Sequence, residues 1–421
     1  MKITIIGGGS TYTPELVKGL IDNRDAFGLE ELALQDIRPE RQEAVASFCR
    51  RLMEKEKASF SLTTATDRKT ALNRADFVII QIRVGGQEAR NRDIRIGLDN
   101  SLIGQETTGI GGFAKALRTL PKVLEICSDV VQYCPNAWVI NFTNPSGLIT
   151  EGIIKATGVQ TIGLCNIPYT FKKELAGVFS VEPRDIELDY VGLNHLSWVR
   201  KVMVHGKDRL PELLEMADSS SDILPEELDY PVAFLKILKA IPSGYLRYYY
   251  DTSRLLAELK SSPKTRAQTV MEIEKELFEK YNDPGVIEIP EALSKRGGAG
   301  YSEAALGLID SLVNNKREIH VVNVQNNNSI QGLPEDSVVE IPCLVNSYGA
   351  HPLDAGDVNP HQLALMQHVK AYELLTVQAV MEGSREKALL ALITNPLGPE
   401  ASKALTILDD IIKSNQLDFL H

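Results

Sequence analysis

Over roughly the first 166 residues, short apolar runs alternate with longer stretches whose apolar positions recur at helical spacing. Lys2-Ile3-Thr4-Ile5-Ile6 predicts a strand that runs into Gly7-Gly8-Gly9-Ser10, and Thr13-Pro14-Glu15 then opens a helix with Leu16, Val17, Leu20 and Ile21 on one face. Leu32-Ala33-Leu34 predicts a second strand, ending at Asp36. Further strands are expected at Phe77–Ile82, Trp138–Asn141 and Thr161–Leu164, each apolar enough for the middle of a parallel sheet, with helical patterns such as Phe113 to Val131 between them. The alternation predicts an α/β fold built on a Rossmann-type, doubly wound parallel sheet, with ligands beyond the carboxyl ends of its strands. After about residue 166 the pattern becomes mixed. Strand-like Tyr190–Gly192, Ile319–Val324 and Val338–Ile341 lie among helices, including His361–Met381 and Arg385–Leu392. A nucleotide-binding domain over 1–166 and an α+β domain over 167–421 are expected, packed around a shared cleft.

The glycine turn after the first strand and the acid ending the second match a dinucleotide site, where glycines admit a pyrophosphate and the carboxylate meets ribose hydroxyls. Gly7, Gly9, Ser10 and Asp36 are the candidates, and Asp36 favours NAD over its phosphorylated form. Tyr12 stands where a third glycine is usual, so helix and strand are expected to pack less closely there. A tight loop in another kind of α/β protein is the alternative.

Composition narrows the partners. A chain of 421 residues that is 43% hydrophobic and 24% charged has room for a sizeable core. Its net charge of -11 opposes attraction to nucleic acid or to an anionic membrane, so neither is expected as a partner. An anionic small molecule would need a local basic pocket, and Arg83, Arg90, Arg92 and Arg95 concentrate positive charge after one predicted strand. A solvated helix face is the competing account of that cluster. Five cysteines without a C-x-x-C pair fit reduced thiols, and the opening strand lacks the pattern of a signal peptide, so a cytoplasmic protein is expected.

Cys165 and Asn141–Pro145 fall at predicted strand ends, where a site belongs. A thiolate and an imidazole form a borderline-soft ligand set for a divalent transition ion, which makes Cys165 and His195 candidates. Taken singly, a buried small hydrophobe and a core histidine are the better accounts of them. Tyr245, Tyr248, Tyr249 and Tyr250 include a possible base or form an aromatic stripe. Asn144 and Glu106 are polar candidates that could equally start a turn or brace a loop.

Six segments in order, Gly7-Gly8-Gly9-Ser10, Ile103-Gly104-Gln105-Glu106-Thr107-Thr108-Gly109, Asn141-Phe142-Thr143-Asn144-Pro145, Gly163-Leu164-Cys165-Asn166, Gly192-Leu193-Asn194-His195 and Tyr245-Leu246-Arg247-Tyr248-Tyr249, resemble glycoside hydrolase family four. The resemblance spans most of the chain and is strongest to the family's 6-phospho-β-glucosidases. It implies an NAD- and manganese-dependent enzyme that hydrolyses phosphorylated β-glucosides by oxidation at carbon 3, elimination, water addition and re-reduction, an exception to two-carboxylate hydrolysis. It further implies Cys165 and His195 as metal ligands and Tyr245 as catalytic base. Asn141 would join the cofactor contacts, Arg90 with Arg296 would hold the phosphate, and Asn144 and Glu106 would face the substrate. A homodimer or homotetramer is what the resemblance suggests. A 2-hydroxy acid dehydrogenase of the related lactate and malate type shares the expected fold and is the competing expectation, as is a relative with another anomer or sugar specificity.

Overall fold

The glycine turn follows an interior strand of a nine-stranded sheet, because the strand before it, β1 (Lys2–Ile6), pairs in parallel with both β2 (Glu31–Gln35) and β4 (Phe77–Ile80). The protein is described here by a computed structural model covering all residues except 24, 25, 27, 221, 222, 226, 227 and 299. With β3 (Ser61–Ala65), β5 (Trp138–Asn141) and β6 (Thr161–Gly163), the parallel strands run in the order 3-2-1-4-5-6, the doubly wound arrangement predicted. Ile3, Ile5, Leu32, Leu34, Val78, Ile79, Val139 and Ile140 are wholly or nearly wholly buried, as continuous apolar runs in a sheet covered on both faces require. Helices α1 (Thr13–Asp22), α2 (Pro39–Lys55), α3 (Arg68–Leu72), α4 (Gly86–Asp99), α5 (Gly109–Tyr133) and α6 (Ser146–Ala156) complete this half.

The sheet does not stop at the boundary expected at residue 166. β6 has three residues and would leave an open edge, which β11 (Glu318–Gln325) covers through an antiparallel bridge at Gly163 and Asn323. β12 (Val338–Asn346) and β13 (Gly349–Pro352) extend it further. Two strands expected in a second domain therefore belong to the central sheet. A separate small sheet carries the hairpin of β7 (Ile186–Leu193) and β8 (Leu196–Val204), with β9 (Lys207–Asp208) and β10 (Ile241–Pro242) on β8. β3 escaped the pattern analysis because its sequence, Ser-Leu-Thr-Thr-Ala, makes a half-exposed edge strand.

Tyr12 is buried, and its ring meets that of Tyr301 edge-on at 6.1 Å. Its hydroxyl accepts a hydrogen bond from the Ser302 amide at 3.1 Å. The side chain in place of a third glycine thus fastens the start of α1 to the helix Tyr301–Asn314.

Candidate active site

Backbone geometry at the end of β1 demands the glycines. The amides of Gly7 and Gly8 both donate to the Gln35 carbonyl at 2.8 Å, and Gly7 has φ +91°. A Cβ on Gly9 would lie 2.8 Å from Asp36 Oδ2, the atom to which the Gly9 amide donates at 2.9 Å. Asp36 Oδ1 accepts from the Arg38 amide at 3.0 Å. Gly7, Gly9, Ser10 and Asp36 all line one cavity of about 1390 Å³, larger than the roughly 300–1,000 Å³ of a typical single-ligand pocket. Asn141 departs from expectation and needs correction. It is fully buried, its Nδ2 faces the Thr143 and Ser146 carbonyls and Thr150 Oγ1, and its Oδ1 accepts from the Thr143 amide. These bonds shape the loop after β5, leaving the side chain no part in lining the cavity.

Cys165 follows β6, and His195 occupies the tight turn between β7 and β8. The two converge, with Cys165 Sγ 3.5 Å from His195 Nε2. Thr107 Oγ1 lies 2.9 Å from His195 Nδ1, and its own hydrogen goes to Gln105 Oε1 at 2.7 Å. Thr107 must therefore accept from Nδ1–H, which leaves the Nε2 lone pair facing the sulfur. Burial holds His195 neutral, with its pKa lowered to about 3, while it pushes the Cys165 thiol up. The described residues contain no group of three or more His, Cys, Asp or Glu arranged for a metal.

Tyr245, in the 3₁₀ turn Gly244–Leu246, stacks on the His195 ring at 4.0 Å and 7°. Its phenol is held above the usual value by burial first and Glu106 next, with Arg90 opposing. The neighbouring tyrosines divide. Tyr248 lines the cavity 6.2 Å from Tyr245, whereas Tyr250 accepts from Trp198 Nε1 at 3.1 Å within an aromatic cluster with Tyr230 and Phe234.

Glu106 is the hub of the charged wall. It pairs with Arg83, with Arg90 at 3.0 Å and with Lys115 at 3.2 Å, and these cations hold its carboxyl well below the usual range despite burial. Arg90 is 8% exposed, and its buried Nε has no partner. Arg296 also lines the cavity, 3.6 Å from Glu274, with its Nε likewise unpartnered. Arg92 and Arg95 are exposed, which fits the solvated-face account for those two. Asn144 lines the cavity, its Oδ1 accepts from the Ser146 amide at 3.3 Å, and its side chain bonds Tyr301.

Sequence inspection missed Thr107, Lys115, Glu274 and Tyr301. Lys115 had a readable signal, since a lysine interrupts an apolar helical stretch in which Gly109 to Leu120 are all buried. Burial and Arg83 lower its pKa to about 7, with Glu106 opposing.

The sequence pattern of the family 4 glycosyl hydrolases matches residues 2–181, and that of the family's C-terminal domain matches 190–398. The 6-phospho-beta-glucosidase of Thermotoga maritima is 43% identical over 417 residues, covering 99% of each chain. A structure of that enzyme with manganese, NAD+ and glucose-6-phosphate superposes with a TM-score of 0.91 at 40% identity, covering 100% of this chain and 99% of the other. Malate dehydrogenase of Plasmodium falciparum, at 16% identity and TM-score 0.54 over 93% of this chain and 99% of its own, shares the fold alone.

Proposed function

The chain belongs to the family 4 glycosyl hydrolases, and from that we infer that it is a 6-phospho-β-glucosidase using NAD and a divalent ion, manganese foremost, on phosphorylated β-glucosides. The products are glucose 6-phosphate and an alcohol or sugar. The observation that carries this reading is the approach of buried Cys165 Sγ to His195 Nε2 at 3.5 Å, beside the stacked Tyr245 ring, at the wall of the cavity that His195, Tyr245 and the glycine turn line.

The donor set suits a divalent ion, because a neutral imidazole with its Nδ1–H fixed by Thr107 and a sulfur facing Nε2 are what such an ion engages. The glycine turn and Asp36 suit NAD, since a side chain on Gly9 would strike the carboxylate. When bound, NAD supplies reversible removal of hydride from sugar carbon 3 and the ion polarises the adjacent oxygens, which acidifies carbon 2 without net NADH. Tyr245, ionised to the phenolate by the positive charge of the bound ion, would accept the carbon-2 proton and return a proton to that carbon when water adds at carbon 1. Elimination expels the leaving group from carbon 1, and water adds to the same carbon. Arg90 and Arg296 line the cavity and offer their guanidinium groups to the phosphate, Asn144 contacts a sugar hydroxyl, and Glu106 sets the orientation of Arg90.

Incubation with NAD, manganese and an aryl 6-phospho-β-glucoside in deuterated water tests this. Deuterium at carbon 2 of the product is expected, and cleavage without label rejects the mechanism. The reading includes a cytoplasmic homodimer or homotetramer. Phosphorylated sugars and NAD are intracellular, the five cysteines are free, and no helix among the described residues is long and apolar enough to cross a membrane. Exposed Met381, Leu390, Ile393 and Leu405 on the last three helices support self-association.

A further inference from the structure

Beneath the turn that carries His195 lies a carboxylate the chemistry above does not use. Glu340, on β12, is 1% exposed, and its three bonded partners are neutral donors. Tyr190 donates to Oε2 at 2.6 Å, while Asn194 and Asn323 donate to Oε1 at 2.9 and 3.0 Å. The Tyr190 hydrogen is committed to Glu340, so Ser197 must donate to the Tyr190 oxygen across their 2.6 Å contact. Tyr190 and Ser197 come from the two strands of the hairpin and Asn194 from its tip. Glu340 therefore grips the hairpin at two places, Tyr190 on one strand and Asn194 at the tip, with Ser197 tied in through Tyr190.

That grip has something to hold. His195 has φ +63°, the left-handed region that disfavours a non-glycine residue, and it follows Asn194 in a two-residue turn between paired Leu193 and Leu196. Asn194 is anchored on its other side as well, where Oδ1 accepts from the Gly147 amide at 3.4 Å. Gly147 has no room for a side chain, since a Cβ there would lie 2.9 Å from Asn194 Cβ.

We propose that Glu340 is a positioning residue for the ion-holding pair: through Asn194 it fixes the turn in which His195 Nε2 faces Cys165 Sγ. The proposal rests on the assignment of Cys165 and His195 as ligands. It explains why β11 and β12 continue the central sheet past β6, since their register sets Asn323 opposite both Gly163 and Glu340 and so brings the carboxylate under the hairpin.

The test is titration of Mn2+ into the full-length protein with NAD+ present, following free ion by electron paramagnetic resonance, with the NAD+ dissociation constant measured alongside. Glu340→Gln keeps the shape but leaves three donors a single acceptor oxygen and adds a competing NH2 donor. It is expected to weaken Mn2+ binding about tenfold or more, with NAD+ affinity unchanged. Asn194→Ala, which leaves the buried carboxylate in place, is expected to do the same, and the double variant to bind no more weakly than the weaker single one. Wild-type Mn2+ affinity in Glu340→Gln overturns the proposal, as does an equal loss of NAD+ affinity or additive losses in the double variant. Should Glu340→Gln fail to fold, Asn194→Ala decides alone, with unchanged Mn2+ affinity as the overturning result. A wild-type protein that binds no Mn2+ overturns the ligand assignment itself, an outcome distinct from all of these.

Discussion

Lys115→Met removes one of three cations from around a single carboxylate, and the pH dependence of stability reveals the result. In the folded protein burial first, and Arg83 next, lower the pKa of Lys115 to about 7 against the opposing pull of Glu106. In the unfolded chain a lysine titrates near its ordinary value of about 10.4. Between those two values the unfolded chain holds a proton that the folded chain has released, so stability rises with pH across the window. From about pH 6 to about pH 8.5 this one group contributes a rise of about 2 kcal/mol, because the folded form sheds its proton early in the interval. With an unfolding entropy of roughly 2.1 cal/mol/K per residue, the rise corresponds to about 2 °C in Tm for a chain of this length. Differential scanning calorimetry of both proteins at the two pH values is the assay, and contributions from other titrating groups cancel in the difference. The variant should melt above wild type at the lower pH, and the gap should shrink by about 2 °C at the higher. A gap that stays constant would mean that Lys115 keeps an ordinary pKa, refuting the charge account of this wall.

Three further outcomes follow from the geometry. Tyr245→Phe keeps the stack on His195 but removes the phenol oxygen, so kcat should fall about 10²–10⁴-fold while Mn2+ affinity holds; steady-state kinetics with undiminished kcat would exclude Tyr245 as base. Gly9→Ala drives a methyl to 2.8 Å from Asp36 Oδ2, and an overpacking cost of about 1–3 kcal/mol predicts NAD+ binding weaker by about 5- to 150-fold in calorimetric titration, against which an unchanged Kd would count decisively. Lys370→Met leaves Glu151 and Glu373 buried without the ammonium that lies 2.7 and 2.6 Å from them; urea unfolding should show a loss of about 3–5 kcal/mol, and a loss under about 1 kcal/mol would refute the pairing.

The parallel sheet was legible because its strands are buried on both faces and so are apolar without interruption, as Phe77 to Ile80 illustrate. The glycine turn was legible because its backbone tolerates few alternatives. The continuation of the sheet through β11–β13 was not, since local pattern marks a strand but not its partner, and the link to β6 is one bridge between Gly163 and Asn323. Among site residues, the sequence exposed the groups that stand alone at strand ends, such as Cys165. It concealed those whose meaning is pairwise. Glu106 is ordinary in sequence and becomes informative only when Arg83, Arg90 and Lys115 arrive from α5 and the region around α4. Asn141 shows the converse, a motif residue whose polar atoms are spent on its own loop.

Charge placement ties these observations to the substrate. The chain carries a net charge of -11, which repels phosphates at long range, so capture must depend on charge gathered at short range inside the cavity. Around Glu106 three cations face one carboxylate, leaving two positive charges in excess while Lys115 is protonated and one after it loses its proton; Arg41 and Arg296 share Glu274, leaving one more. A phosphate monoester near neutral pH carries about -1.5 to -2, close to the excess around Glu106 alone. The carboxylates are what make such a wall tolerable before substrate arrives, because cations packed together without them would shed protons or repel one another apart. Lys115, with its pKa lowered to about 7, is the member nearest that limit. An arriving dianion would favour its protonated form, so phosphate binding and proton uptake by Lys115 are one coupled event, strongest where the free protein has begun to lose that proton.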